Sequence, residues 1–216
     1  MTEVRLLRAG PWSTLIEVAD GAAAGSLHRY LSALRSAGRL PGIVDLVPGA
    51  RTVLVDAGPG GPGGDPLTRA LAGWTAGGAA GEPAGDPAGP LVEIPVRYDG
   101  ADLAEVARLT GIPPDEVVAA HTGAELTVAF CGFAPGFAYL TGAPESLRVP
   151  RRDSPRAAVP AGAVALAGPY TGIYPRRSPG GWRLIGHTDL VLWDEAAPRP
   201  ALLTPGTRVR CVPVPP

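Results

Sequence analysis

Short runs of alternating hydrophobic and polar residues open the chain. Val4-Arg5-Leu6-Leu7 leads to a Gly10-Pro11 turn and then Thr14-Leu15-Ile16-Glu17-Val18, which predicts two strands. From 22 to 37 the period changes. Leu27, Tyr30, Leu31 and Leu34 recur at helical spacing and predict a helix with one apolar face. Two more strands are predicted at Ile43–Val47 and Thr52–Val55, joined by Pro48-Gly49-Ala50-Arg51, and a second helix at Pro66–Trp74. The order ββαββα predicts a small α/β sandwich, expected to be ferredoxin-like.

The texture then breaks. Half of the positions from 57 to 90 are Gly or Pro, so Gly58–Gly64 and Gly77–Pro90 read as loop or linker. This places a domain boundary near residue 90, with one domain over 1–90 and another over 91–216. Beyond it, Val92–Val96 reads as a strand and Asp102–Leu109 as a short helix. A second helix starts at Pro114, a favoured first-turn residue, with Asp115 and Glu116 at its positive end, and runs to His121. Short apolar strands cut by turns follow at Leu126–Phe130, Ala163–Ala167, Trp182–Ile185, Leu190–Trp193 and Arg208–Val212. Many short strands with Gly/Pro turns predict a closed or half-closed β-barrel, and the whole chain an α+β protein.

Composition narrows the chemistry. The chain has 216 residues, 45% apolar and 18% charged, enough for a buried core. A net charge of −1 leaves no overall basic footprint for nucleic acid. No apolar run approaches the length needed to span a bilayer, and the N-terminus lacks the pattern of a signal peptide, so a cytoplasmic protein is expected. All 19 basic residues are arginine. Without lysine there is no Schiff base and no P-loop, so the glycines at 58–64 read as a flexible loop rather than a phosphate cradle. Anion recognition falls to arginine, backbone N–H groups or a metal. Cys131 and Cys211 stand alone, which excludes a zinc knuckle and leaves them as small apolar residues.

Residues 130–186 carry a dense set of motifs: Phe130-Cys131-Gly132-Phe133-Ala134-Pro135-Gly136-Phe137-Ala138-Tyr139-Leu140, Val149-Pro150-Arg151-Arg152-Asp153-Ser154-Pro155-Arg156, Ala167-Gly168-Pro169-Tyr170-Thr171-Gly172-Ile173-Tyr174-Pro175 and Ser178-Pro179-Gly180-Gly181-Trp182-Arg183-Leu184-Ile185-Gly186. Over 92–193 the chain resembles the KipI, PxpB or allophanate hydrolase subunit 1 family. The resemblance implies a cyclophilin-like β-barrel in the second domain. It also implies a subunit of an ATP-dependent 5-oxoprolinase, a cyclic amide hydrolase inactive without its partner. That partner is a larger cyclophilin-like subunit (PxpC-like, also called AHS2-like), with a third PxpA-like subunit. ATP with Mg would be required, with no tightly bound cofactor and no metal site of its own. The same architecture also hosts a histidine-kinase inhibitor and the carboxyltransferase part of biotin-dependent urea carboxylase, so these alternatives stand beside the hydrolase. Two positions depart from the family pattern and bear on substrate choice: Tyr170 stands where Gln is usual, and Gly186-His187-Thr188-Asp189-Leu190 where Gly-Arg-Thr-Pro-Leu is common.

The motif residues have their own physical reading. Ala134-Pro135-Gly136-Phe137 and Ser178-Pro179-Gly180-Gly181 both fit type II turns, which aim backbone N–H groups at a ligand or simply turn a barrel corner. Seven arginines fall within 148–183, either as a solvated face or as a carboxylate or phosphoryl site, with Arg152 and Arg156 the foremost candidates. With Pro135, Gly136, Tyr170, Thr171, Gly180 and Gly181 they make up the expected substrate or phosphate set. The expected catalytic groups are His187, Asp189 and Tyr139, since ring opening needs a positioned water and a base. His121 reads as structural at a helix C-terminus, and His28 as an exposed helix position. No GxSxG nucleophile occurs.

Overall fold

A computed structural model describes residues 4–59, 61, 64–74 and 89–215. Most of the linker expected at 77–90 and part of the Gly58–Gly64 loop lie outside these residues. The chain divides into two compact units, Met1–Pro87 and Ala88–Pro216.

In the first unit the strands are β1 (Arg5–Arg8) and β2 (Ser13–Glu17), followed by helix α1 (Gly21–Ser36). Then come β3 (Asp45–Pro48), β4 (Thr52–Asp56) and helix α2 (Gly64–Ala72). Asp20 caps α1 by accepting from the Ala23 N–H at 2.8 Å. The expected stripe of Leu27, Tyr30, Leu31 and Leu34 is buried against Ile16, Val53 and Val55. The sheet order is β1-β2-β4-β3, antiparallel throughout. Joining β2 to β3 through α1, with β4 inserted between them, gives the split β-α-β unit of a ferredoxin-like fold. The full ferredoxin-like order is not formed. The short turn at Gly10-Pro11 folds β1 back onto β2, so a preceding strand fills the edge position that a strand after α2 would take.

The second unit is a barrel. Its elements are β5 (Leu91–Val96), helices α3 (Leu103–Thr110) and α4 (Pro114–Thr122), β6 (Leu126–Cys131), β7 (Ala138–Thr141), β8 (Arg156–Val159), β9 (Ala163–Ala167), β10 (Tyr170–Ile173), β11 (Ser178–Gly180), β12 (Arg183–His187) and β13 (Arg208–Pro213). Seven strands run in the order β12-β9-β10-β7-β6-β13-β5, with β8 and β11 as a separate ribbon. Only β5 and β13 pair in parallel. The interior is filled by Ile94, Val128, Leu140, Val164, Leu166, Ile173 and Ile185.

The two edges of this sheet meet. Where β5 ends, Arg97 forms a bridge with His187 on β12: the Arg97 N–H donates to the His187 carbonyl at 2.8 Å and the His187 N–H to the Arg97 carbonyl at 2.7 Å. The Gly100 and Asp102 N–H groups continue the seam to the Ile185 and Leu184 carbonyls at 3.2 and 2.8 Å. Closure requires close backbone approach. A Cβ on Gly100 would fall on the Ile185 carbonyl carbon, and one on Gly186 would meet the Arg97 carbonyl.

Two local expectations are corrected. Ser178-Pro179-Gly180-Gly181 forms no type II turn: it lies in β11 and its exit, neither glycine has positive φ, and pairing with β8 holds it extended. Leu190–Trp193 forms no regular strand, only a single bridge from Trp193 to Ala201. Leu192 is buried, while Val191 is 68% exposed.

Gly100→Ala is expected to destabilise the fold by about 2–3 kcal/mol through overpacking at the seam. Gly111→Ala serves as control. Gly111 caps α3 at φ 75° with open space around it, so the change is expected to cost only about 1 kcal/mol. Urea denaturation of the two variants checks the difference.

Candidate functional site

Strand β9 is buried on both sides. Val164 and Leu166 face the barrel interior, while Ala163, Ala165 and Ala167 face an outer cluster with Phe137, Tyr174, Trp182 and Leu184. Small side chains on the outer face leave room for large rings. Gly172 continues the row: a Cβ there would lie 2.6 Å from Trp182 and 2.8 Å from Phe137. The rings meet edge to face, Phe137 on Trp182 at 5.5 Å and on Tyr174 at 5.3 Å. Tyr139 stacks on Phe130 at 4.3 Å, and Tyr170 stands edge-on to both at 5.6 Å. Burial, and then the neighbouring Tyr139, raises the Tyr170 hydroxyl pKa, so Tyr170 is a neutral donor.

The segment leading to this face is tightly turned. The Ala134 N–H donates to the Gly132 carbonyl at 2.7 Å across Phe133, whose φ is 66°. The expected type II turn follows: Phe137 N–H donates to the Ala134 carbonyl at 3.0 Å, with Gly136 at φ 79°. Pro135 and Gly136 therefore shape this corner. A Gly136 Cβ would strike Trp193, so glycine is required sterically as well. Phe133 is left 59% exposed.

The arginine pair stands differently from expectation. Arg152 and Arg156 both turn onto Asp102, a carboxylate that sequence reasoning did not single out. Arg152 Nη1 and Arg156 Nη2 donate to Oδ1 at 3.0 and 2.8 Å, and the Leu184 N–H donates to Oδ2 at 2.8 Å. Burial alone would raise the Asp102 pKa. The hydrogen bonds from Arg156 and Leu184, with the charges of Arg156 and Arg152, outweigh it and hold the carboxyl below its usual range. Arg152 Nε and Arg156 Nη1 are buried without an acceptor among the described residues. The pair thus serves the Asp102 carboxylate, and its open donors are shielded from ligand. Arg151 instead lies 5.8 Å over the Trp182 ring.

Thr171 also points away from the outer face. It is fully buried and meets His121 Nε2 at 3.1 Å, while Tyr98 Oη meets His121 Nδ1 at 2.7 Å. Burial pushes the His121 pKa down to about 4, so desolvation overrides the helix-end attraction that would favour a cation. His28 is half-buried, not exposed, and its pKa is lowered by burial. Burial pushes the Cys211 thiol up to about 12.

Of the three expected catalytic groups, two come together. His187 Nδ1 lies 2.8 Å from Arg97 Nη2, and Arg97 also grips Asp189 at 2.9 and 3.3 Å. The Arg97 hydrogen bond, and then its charge, hold the Asp189 carboxyl below its usual range. Tyr139 lies on β7, separated from β12 by β9 and β10. Three strand spacings are about 14 Å, so Tyr139 does not share a direct proton relay with His187. Among the described residues no group of three or more His, Cys, Asp or Glu side chains could hold a metal ion, and no helix is long and apolar enough to cross a membrane.

A closed barrel whose outer face presents tyrosine hydroxyls over an aromatic floor, with no activated nucleophile beside it, defines a ligand-binding barrel of the carboxyltransferase type. The chain belongs to the family described as the carboxyltransferase domain, subdomain C and D, whose model matches residues 4–203. A 5-oxoprolinase subunit of Escherichia coli O157:H7, of the PxpB type, is 54% identical over 125 residues, which cover 56% of this chain and 57% of that protein. Its counterpart of the same name in Bacillus subtilis is 46% identical over 125 residues, 56% and 52% respectively. These matches bear out the resemblance to the PxpB group, and the aligned stretch spans little more than half of each relative. Among solved structures, TTHA0988 is 38% identical with a TM-score of 0.73, covering 100% of this chain and 41% of that one. PH0987 from Pyrococcus horikoshii is 30% identical with a TM-score of 0.56, covering 97% of both. The Kluyveromyces lactis urea amidolyase, 19% identical with a TM-score of 0.72 over 99% of this chain and 15% of that one, shares the fold.

His121 gives a pH test. Its folded pKa, about 4, lies below the unfolded value of 6.5, so the unfolded chain binds more protons in between. Stability is expected to fall as pH drops from 6.5 towards 4, by up to about 3 kcal/mol. The wild-type slope should flatten in His121→Gln when unfolding is followed by urea titration at each pH. Asp102→Ala is expected to cost about 3–5 kcal/mol, because it strands two partly buried guanidinium groups.

Proposed function

We propose that this chain acts as the PxpB-type subunit of an ATP-dependent 5-oxoprolinase, converting 5-oxoproline, ATP and water to glutamate, ADP and phosphate. The carrying observation is the 54% identity to the Escherichia coli O157:H7 5-oxoprolinase subunit. The outer face suits part of such a site. Its aromatic floor matches the apolar edge of a five-membered lactam, and neutral tyrosine hydroxyls match its carbonyl and carboxylate oxygens.

The face provides no activated nucleophile. Tyr139 and Tyr170 bind and orient, and the remaining groups come from a larger cyclophilin-like subunit with a third, PxpA-like subunit. ATP is a substrate of the assembly. The described carboxylates do not fit a Mg²⁺ site, so no step is routed through the ion here. An ATP-consuming reaction of this kind belongs in the cytoplasm.

The test is reconstitution with the products of adjacent genes. The complete mixture is expected to hydrolyse ATP only when 5-oxoproline is added and to release glutamate, and omitting this chain should abolish both. A stable complex without lactam-dependent ATP hydrolysis overturns the proposal. In the active complex, Tyr139→Phe and Tyr170→Phe are each expected to raise KM about tenfold, the loss of one hydrogen bond.

A further inference from the structure

We propose that Arg97 is a positioning residue that fixes His187 as an Nε2–H hydrogen-bond donor, aimed at a carbonyl or phosphoryl oxygen at the rim of the outer face. The proposal rests on the functional reading above only for the identity of that oxygen.

A guanidinium has donors and no acceptor. With Arg97 Nη2 at 2.8 Å, His187 Nδ1 must supply its lone pair, so the ring proton sits on Nε2. Arg97 is not free to turn away. Asp189 holds it through both terminal nitrogens, and the reciprocal backbone bonds of the Arg97–His187 bridge fix both residues at the barrel seam. The direct path from His187 Nδ1 to Asp189 is 3.6 Å, too long for a hydrogen bond. This reverses the usual polarity. A carboxylate placed directly on Nδ1 leaves a lone pair on Nε2 and makes a base; an arginine inserted between them leaves a proton on Nε2 and makes a donor.

The donor faces the right way. His187 pairs across the strands with Ala163, whose side chain belongs to the outer cluster, and Tyr174 N–H donates to the Ala163 carbonyl alongside. The imidazole is 30% exposed, and Nε2 has no hydrogen-bond partner among the described residues. Gly162, at φ 79°, keeps that nitrogen clear, since a Cβ there would lie 2.8 Å from Nε2. A ligand meeting this nitrogen must therefore bring an acceptor. In the proposed reaction that is the lactam carbonyl, or the phosphoryl oxygen that follows it.

Long-range ¹H–¹⁵N spectra of the full chain, with ¹⁵N-labelled imidazoles and His187 assigned by His187→Gln, test this without any partner. The wild type is expected to show the Nε2–H tautomer at His187. Arg97→Met should give a mixed pattern, and Asp189→Asn, at an exposed position, a partial shift. An Nδ1–H tautomer in the wild type, or no change in either variant, overturns the proposal. In the assembled enzyme, His187→Gln retains an N–H donor and is expected to stay within about tenfold of wild-type kcat, while His187→Phe loses about a hundredfold. Equal loss in both marks a base and overturns the donor role. The expected tautomer without lactam-dependent ATP hydrolysis upholds the positioning by Arg97 and counts against 5-oxoproline alone.

Discussion

Closure of the barrel seam is the constraint on which the second unit depends. Seven strands leave two edges, and open edges are liabilities. Residues 97–102 remove them by running along β12, and four backbone hydrogen bonds form only because Gly100 and Gly186 carry no side chain. Asp102 then bonds to both sides of the Leu184 backbone: its own N–H donates to the Leu184 carbonyl, and its carboxylate accepts the Leu184 N–H. The same carboxylate draws in Arg152 and Arg156, which fastens the segment before β8 beside β12. One buried charge thereby couples the seam, the loop and the β8–β11 ribbon. Both the stability of the barrel and the shape of its outer face follow from it.

The outer face depends on an economy of volume. β9 contributes alanine outward and larger aliphatic residues inward, so a single strand supports two cores. Gly172 on β10 extends the shallow floor, and Trp182 and Phe137 settle into the space. The rings pack edge to face and leave the hydroxyl groups of Tyr139 and Tyr170 towards the periphery. A barrel with uniform side chains on that face would have no such recess. The specificity of the site thus begins with the smallest residues in the sequence rather than with its charged ones.

What was legible in the sequence was local. The α1 stripe, the proline start of α4, the apolar run of β9 and the turn at Ala134–Phe137 are set by neighbours a few residues apart. What was not legible is paired over distance. Asp102 meets Leu184 and Arg156 across 82 and 54 residues, and Arg97 meets Asp189 across 92. No periodicity marks either residue. The arginine cluster was visible, but its partner was not, so a structural clamp read as an anion site. β8, β10 and β11 were hidden for another reason: their Pro, Gly and Ser residues signal turns, and only tertiary pairing holds them extended. The family resemblance located the face correctly in sequence but could not assign Thr171 to the interior, since inward and outward residues alternate within a single motif.

Phe133 shows how far the face is shaped against local preference. A φ of 66° costs a non-glycine residue on the order of 1–3 kcal/mol, and Phe133 is the sole such case among the described residues. Its backbone is trapped between the Ala134–Gly132 hydrogen bond and the type II turn behind it. Its ring gains only edge contacts, to Phe137 at 5.3 Å and Tyr174 at 6.4 Å, and stays mostly in solvent. Edge contacts of this kind contribute about 1 kcal/mol each at best. They offset the strain but do not exceed it by much, so folding alone gives little reason to hold an aromatic ring outward here. A glycine at this position would relieve the strain and remove the ring. Phenylalanine keeps an apolar surface beside the tyrosine hydroxyls and the His187 rim, where a bound ring or a partner surface would cover it.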